Sequence, residues 1–495
     1  MIIGGLDIGT TGCKLTLYTG EGDRVGQYYQ EYPARRQAGE HELDAAALWR
    51  AVRGVLSRGG AEHPGVAAIG VSSFGESFVL LDEADQPLAP ALLYTDPRGR
   101  EELAELAAAV GEERIIATCG MKPHSMYSLS KMMWIARHRP ELYRRARRVM
   151  LFEDYVVYML TGAAQIDYSL AARTMAFDIR KKAWDHALLA AAGVDPALLS
   201  RPVPSGTAAG PVREPLAGEL GLAGTQIVSG CHDQVSAAVG AGVLKPGMAI
   251  DGAGTVSCIT PVFERPPEDA AFYQDNYAVV PHALPGLYVC YAFSFTGGAL
   301  LKWFRDQLAQ DVAQYAAMRE TDFYAELDRR VGEEPTGLMV LPHFAGAATP
   351  YMDEGAKGAI VGLSLETTQA DLYRALMEGV VYEMALNLER LSRAGLAIDR
   401  LRATGGGARS PVWLQMKADC LNLPIDALGD SEAGTVGSVM LAGVAVGAFD
   451  SLETAERRLI KAGRTYLPRP EMHEKYRAIY ARYRPLYELL KPLRA

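Results

Sequence analysis

A short unit occurs twice in this chain and constrains its fold more than any other feature. Residues 2–8 (IIGGLDI) read as a buried strand, GTTG as a tight turn and KLTLYTG as the returning strand, after which EGD turns the chain into VGQYYQEYP. Residues 248–251 read as another buried strand, GAGTVS as its turn and CITPVFE as its return. Gly9-Thr10 and Gly254-Thr255 therefore hold equivalent places, which points to duplicated α/β halves. Between the two units the pattern predicts a helix over 44–57, strands VAAIGVSS and FVLLD, and helices over 98–110 and 128–138. Pro246 and Gly247 interrupt an apolar helix and set the expected boundary between domains 1–245 and 246–495.

At 495 residues the chain is long enough for two cores, at roughly 100–200 residues per domain. Fifty Lys plus Arg against 59 Asp plus Glu give a net charge of -9, without the basic surplus that binding to nucleic-acid phosphates requires. The densest basic run, Arg144, Arg145, Arg147 and Arg148, reads as a solvated helix face. The six cysteines are scattered with no C-x-x-C pair and no His at metal-ligand spacing, the usage of a reducing, cytoplasmic protein. MIIGGLDIG lacks the basic start of a signal peptide, and the longest apolar run, 438–449, is too short to span a bilayer.

No G-x-x-x-x-G-K-[ST], G-x-S-x-G or H-E-x-x-H string occurs, which removes the main support for P-loop kinases, α/β hydrolases and zincins. Four other stretches carry chemistry. In DIGTTGCK (7–14) a carboxylate, Asp7, ends a strand and a small turn follows. Such a turn can aim backbone N–H groups at Gly9 and the Thr10 and Thr11 hydroxyls at a phosphate, with Lys14 offsetting charge and Asp7 facing hydrated Mg²⁺. An ordinary glycine hairpin turn gives the same string. In GCHDQVSAAVGAGV (230–243), Asp233 and Gln234 open a small-residue helix. Asp233 can take the proton of an attacking hydroxyl, or simply cap the helix, and His232 reads as a packed side chain. In ATGGGARSPVW (403–413), Gly405, Gly406 and Gly407 permit close backbone approach to a ligand, with Ala408 and Ser410 starting the helix; a tight strand-to-helix connection is the alternative. SSFGES (72–77) and YTDPR (94–98) offer Glu76 and Asp96 as hydrogen-bond acceptors for a polyol and Tyr94 as a stacking face, although each taken singly fits a loop residue in water.

Together these residues resemble the FGGY family of carbohydrate kinases, which includes xylulokinase, glycerol kinase, rhamnulokinase and gluconate kinase. Two long patterns carry the resemblance: MYSLSKMMWIARH (126–138), with Ser128, Lys131 and Trp134 at the family's spacing, and KGAIVGLSLETTQADLYRALMEG (357–379), with Gly358, Gly362, Asp371, Ala375 and Glu378 in place. The resemblance implies two actin-like (ribonuclease H-like, hexokinase-type) domains around a cleft, with the sugar mainly on the first and ATP mainly on the second. It implies Asp233 as catalytic base, Asp7 as the Mg²⁺-associated carboxylate, 7–14 and 252–255 as phosphate loops, and 405–410 as the adenosine loop. It also implies a homodimer as a reasonable assembly.

The sugar side departs from several members. Where xylulokinases carry Gln-Met-His-Gly this sequence has Phe74-Gly75-Glu76-Ser77, and Tyr94 stands where many members have Trp. Glu76 aligns with the substrate-binding Glu of glycerol kinases, but their preceding Arg is Gly75 here, and FGESFVLLD stands closer to rhamnulokinase. The expected substrate is a ketose or polyol larger than glycerol, phosphorylated on a hydroxyl at the expense of ATP. Glycerol, a deoxyketose or gluconate are the alternative substrates, and a non-kinase actin-like ATPase is the alternative class.

Overall fold

The computed structural model describes residues 1–37, 39–429 and 432–493. Two mixed sheets organise the chain. In the first, Arg24–Glu31, Gly12–Thr19, Ile2–Ile8, Val66–Ser73 and Gln226–His232 lie side by side, and Thr207–Pro211 forms the far edge. The first three strands are antiparallel, while Ile2–Ile8, Val66–Ser73 and Gln226–His232 run parallel. The second sheet repeats this order around Met248–Ala253. Ser257–Phe263 returns antiparallel to it, Tyr288–Cys290 and Ala292–Ser294 pair beyond, and Arg400–Thr404 and Ile425–Leu428 follow in parallel on the other side. The repeated Gly-Thr unit is thus the central hairpin of each sheet, and the two halves form the two-domain actin-like arrangement.

The central strands are apolar because helices cover both faces, as a parallel core requires. Ala45–Glu62, capped by Asp44, packs on the hairpin strands of the first sheet, and Phe152–Thr161 packs beside Gln226–His232. The remaining cover comes from far along the chain. Ala433–Ala445 lies on the central strands of the first sheet and against the helix Asp233–Gly240. Glycines make this possible: a Cβ at Gly5 would stand 2.1 Å from the Thr435 carbonyl oxygen, and one at Gly437 would stand 1.9 Å from that of Ser236. The second sheet begins at Met248, directly after Lys245, Pro246 and Gly247. Even so, the first sheet is completed by a helix from the last eighth of the sequence, so the halves are joined by packing as well as by one linker. Among the described residues no helix is long and apolar enough to cross a membrane.

Candidate active site

A cavity of about 430 Å³ opens between the two halves. Its first-half wall is built at strand ends, where the sheet stops and side chains face the gap. Gly9, Thr10 and Thr11 form the turn after Ile2–Ile8, while Phe74, Gly75 and Glu76 follow Val66–Ser73. His232 ends Gln226–His232, and Asp233 and Gln234 begin the next helix. Tyr94, Lys122, His124, Tyr127 and Arg173 complete that side; Val256, Cys258, Asn276, Tyr291 and Phe293 come from the second half. The parallel strands deliver these residues at their C-terminal ends, where α/β sheets form ligand crevices.

The turn at Gly9 is held from behind. Tyr32 donates its hydroxyl to the Gly9 carbonyl at 2.5 Å, and the Gly9 N–H donates to the Gly12 carbonyl at 2.9 Å. Asp7 accepts a hydrogen bond from Ser72 Oγ at 3.0 Å; burial raises its pKa, an effect that Ser72 and Lys14 partly offset. On the facing side, Gly254, Thr255 and Val256 are exposed, and of the three Val256 lines the cavity. The triple-glycine stretch is pressed against that second turn: a Cβ at Gly405 would stand 2.7 Å from the Ala253 carbonyl oxygen, and one at Gly407 would stand 2.7 Å from the Ala253 Cβ. Gly405 also has φ +85°, a left-handed conformation that a side chain disfavours. Gly406 is unobstructed, and Ser410 caps the following helix by accepting the Trp413 N–H. The second and third glycine-bearing turns are thus packed together, beside Val256, which lines the cavity opposite the Gly9 turn.

Asp233 is the first residue of its helix, one place after the N-cap position, which His232 fills. Its side chain stays one-third exposed in the recess, with His232 Nε2 at 3.3 Å from Oδ1. Burial within the cleft, then the negative charges of Asp7 and Glu76, push its carboxyl up to about 8. A carboxyl so placed is a poor structural ion, and once ionised it is a strong proton acceptor.

Glu76 is buried and has φ +67°, a strained conformation for a residue with a side chain. Three contacts keep it there. Ser128 Oγ donates to its carbonyl at 2.6 Å, Arg173 Nε donates to Oε1 at 2.5 Å, and a second Arg173 nitrogen pairs with the same oxygen. The Arg173 guanidinium lies over the rings of Tyr127 and Tyr291, at 5.0 and 5.3 Å. Gly75 makes room: a Cβ there would meet Arg173 Cγ and His232 Cδ2, both at 3.1 Å. The arginine that the resemblance leads one to miss at position 75 reaches Glu76 from position 173 instead.

One expectation needs correction. Asp96 does not line the cavity. Its Oδ2 accepts from the His41 N–H and Arg98 Nη2, both at 2.7 Å, and its Oδ1 accepts from the Arg98 N–H at 3.0 Å and Nε at 2.8 Å. Both oxygens are spent on folding the loop that presents Tyr94, which leaves none for a polyol. Lys14 also stays outside the cavity, its ammonium 2.8 Å from Glu432 at the start of the Ala433–Ala445 helix. Arg173, Tyr127, His124 and Tyr291 were missed from sequence. Arg173 had one signal, as the lone charge between Asp167 and Asp178 in a stretch of small and apolar residues.

The long patterns buttress this geometry. In the 126–138 pattern, Ser128 holds Glu76, the buried Lys131 bonds the Ser125 carbonyl, and Trp134 stacks beneath the Arg98 guanidinium at 5.1 Å. In the 357–379 pattern, Asp371 forms a capping box with Thr368, and Glu378 is buried on Arg374 and Thr336. The sequence model described as the FGGY family of carbohydrate kinases, N-terminal domain, matches residues 2–240, and that for the C-terminal domain matches 253–446. The chain is an FGGY-family carbohydrate kinase. Among its relatives, a xylulose kinase of Staphylococcus epidermidis is 27% identical over 100% of this chain and 98% of its own length. An autoinducer-2 kinase of Salmonella choleraesuis is 28% identical over 98% and 94%. The solved xylulose kinase of Rhodospirillum rubrum superposes with a TM-score of 0.88 at 28% identity, covering 100% of this FGGY kinase and 99% of that chain. This kinase thus transfers a phosphoryl group to a carbohydrate.

Proposed function

We propose that this enzyme phosphorylates a hydroxyl of a neutral ketose or related polyol with ATP, and that Asp233 is its base. The observation that carries this reading is the cavity itself. A sugar-sized recess bears Glu76, Tyr94 and Gln234 on one wall and opens onto the Gly9 turn, with Asp233 between them. Relatives named xylulose kinase favour a ketose.

In the proposed reaction the substrate hydroxyl oxygen attacks the γ-phosphorus, the bond from that phosphorus to the β-phosphate bridging oxygen breaks, and its electron pair leaves with ADP. The hydroxyl proton passes to Asp233. Gly9, Thr10 and Thr11 hold phosphate oxygens from one side and Gly254 and Thr255 from the other, while Gly405, Gly406, Gly407 and Ala408 form the floor for adenosine. Lys14 reaches a phosphate only by exchanging Glu432 for it. Asp7 fits Mg²⁺: a single half-buried carboxylate at a phosphate turn is the protein share of a site whose other ligands are nucleotide oxygens and water. That ion supplies charge neutralisation at the phosphates.

The test is ADP release with Mg-ATP across ketopentoses, ketohexoses, deoxyketoses, glycerol and gluconate. Stimulation by a neutral ketose or polyol supports the reading; stimulation by gluconate alone contradicts it.

A further inference from the structure

His232 is a residue of this site that the proposed reaction leaves without a task, yet it is tied in on every side. It is buried, and its main-chain N–H donates to Ser169 Oγ at 2.8 Å. Nδ1 lies 2.9 Å from the Tyr291 hydroxyl, and Nε2 lies 3.3 Å from Asp233 Oδ1. The ring therefore stands between a tyrosine of the second half and the proposed base of the first. Tyr291 links Tyr288–Cys290 to Ala292–Ser294, both paired with Ser257–Phe263, so its position is set by the second sheet. His232 is the last residue of Gln226–His232, so its position is set by the first.

The surroundings fix how the protons are arranged. Burial and the neighbouring Arg173 charge hold His232 well below its ordinary range, so the ring is neutral and carries one proton. Burial keeps the Tyr291 hydroxyl protonated. Two arrangements remain. With the ring proton on Nδ1, the Nε2 lone pair faces the Asp233 carboxylate, which repels it. With the proton on Nε2, the Tyr291 hydroxyl donates to Nδ1 and an N–H faces the carboxylate. Only the second avoids setting a lone pair against the carboxylate when Asp233 is ionised, the form a base requires; the Nε2–Oδ1 approach is then an electrostatic contact at 3.3 Å and not a hydrogen bond.

We propose that Tyr291 and His232 form a positioning relay in which the second domain, through the Tyr291 hydroxyl, sets the His232 tautomer and thereby orients Asp233 for proton abstraction. The relay rests on the reading of Asp233 as base. It gives the base its correct orientation only when the two halves are in register. Tyr291 and His232 are positioning residues in this scheme, and Arg173, stacked on Tyr291, supports them.

A double-mutant cycle separates the relay from a direct sugar contact by Tyr291. Tyr291→Phe lowers kcat about tenfold while KM for ATP and for the sugar stay within about twofold, the loss expected for a misaligned base. In a His232→Ala background the same Tyr291→Phe change has no further effect, because its only route to Asp233 is gone. Multiplicative losses, or an undiminished kcat in Tyr291→Phe, overturn the relay. Should His232→Ala fail to fold, ¹⁵N shifts of the wild-type ring taken above about pH 8, where Asp233 is ionised, decide: a proton on Nε2 supports the relay and a proton on Nδ1 refutes it. Asp233→Asn separates the two layers. If it retains turnover, base and relay both fall; if it is inactive while Tyr291→Phe is undiminished, the relay alone falls.

Discussion

At the scale of single residues, Glu76 shows how much of this site depends on buried charge in balance. Its carboxylate and Arg173 neutralise each other inside the cavity wall. Glu76→Gln leaves the guanidinium buried without its counter-charge, a change that costs about 3–5 kcal/mol in comparable settings. The expected result is lower stability in urea together with a raised KM for the sugar; a raised KM at unchanged stability contradicts the structural half of this account. A second buried group titrates instead of pairing. Neither oxygen of Glu153 makes a hydrogen bond of good geometry, and burial, then Asp167 and Asp154, hold its carboxyl well above the usual range against a weaker opposing pull from Ser229. Because the folded value is raised, the stability linked to this proton is complete below the ordinary carboxylate value and falls as pH rises toward the folded one. Glu153→Gln has no proton to lose, so it gains on the wild type between about pH 5 and pH 8 in urea titrations. An equal difference at both pH values refutes this. Asp233 was legible in sequence as a carboxylate opening a small-residue helix. Asp96 was misplaced because a motif string does not reveal that Arg98, two residues on, takes both of its oxygens. Arg173 was invisible as a partner of Glu76 because 97 positions separate them and only the fold brings them together.

At the scale of elements, the helix pair Asp233–Gly240 and Ala433–Ala445 carries the contact between halves. A Cβ at Gly240 would stand 1.9 Å from the Ala433 carbonyl oxygen, with backbone on both sides and no flexible side chain to yield. Gly240→Ala should therefore cost about 1–3 kcal/mol by overpacking. The same change should lower kcat, because the helix it displaces begins with Asp233. Denaturation and steady-state rates on one preparation check both, and an unperturbed, fully active variant argues against the close packing. The hairpins around both Gly-Thr turns were readable from apolar runs broken by glycine, since each depends on local sequence alone. The role of Ala433–Ala445 was not readable: its apolar run marks a buried helix but does not say which sheet it covers. The small residues of the pair, Gly437 and Ser236 among them, take their meaning from a neighbour some 200 positions away.

For the whole molecule, the cavity lies between halves that each contribute walls, so the two must separate for substrates to enter and approach for transfer. Solution scattering should show a smaller radius of gyration with sugar and nucleotide together than with neither; identical profiles would count against closure. The repeated Gly-Thr unit foretold two related halves, and the long 126–138 and 357–379 patterns foretold their family. Which substrate enters was less legible, because the recess is assembled from Glu76, Arg173, Tyr127 and Tyr291, gathered from four separate stretches. The central claim is that sugar phosphorylation by this kinase runs through Asp233. The most direct measurement is the rate of sugar-dependent ADP release by Asp233→Asn beside its affinity for ATP. The account predicts a loss of at least about a hundredfold in rate, the range general bases contribute, with nucleotide affinity unchanged. An Asp233→Asn enzyme that phosphorylates its sugar at the wild-type rate would contradict it.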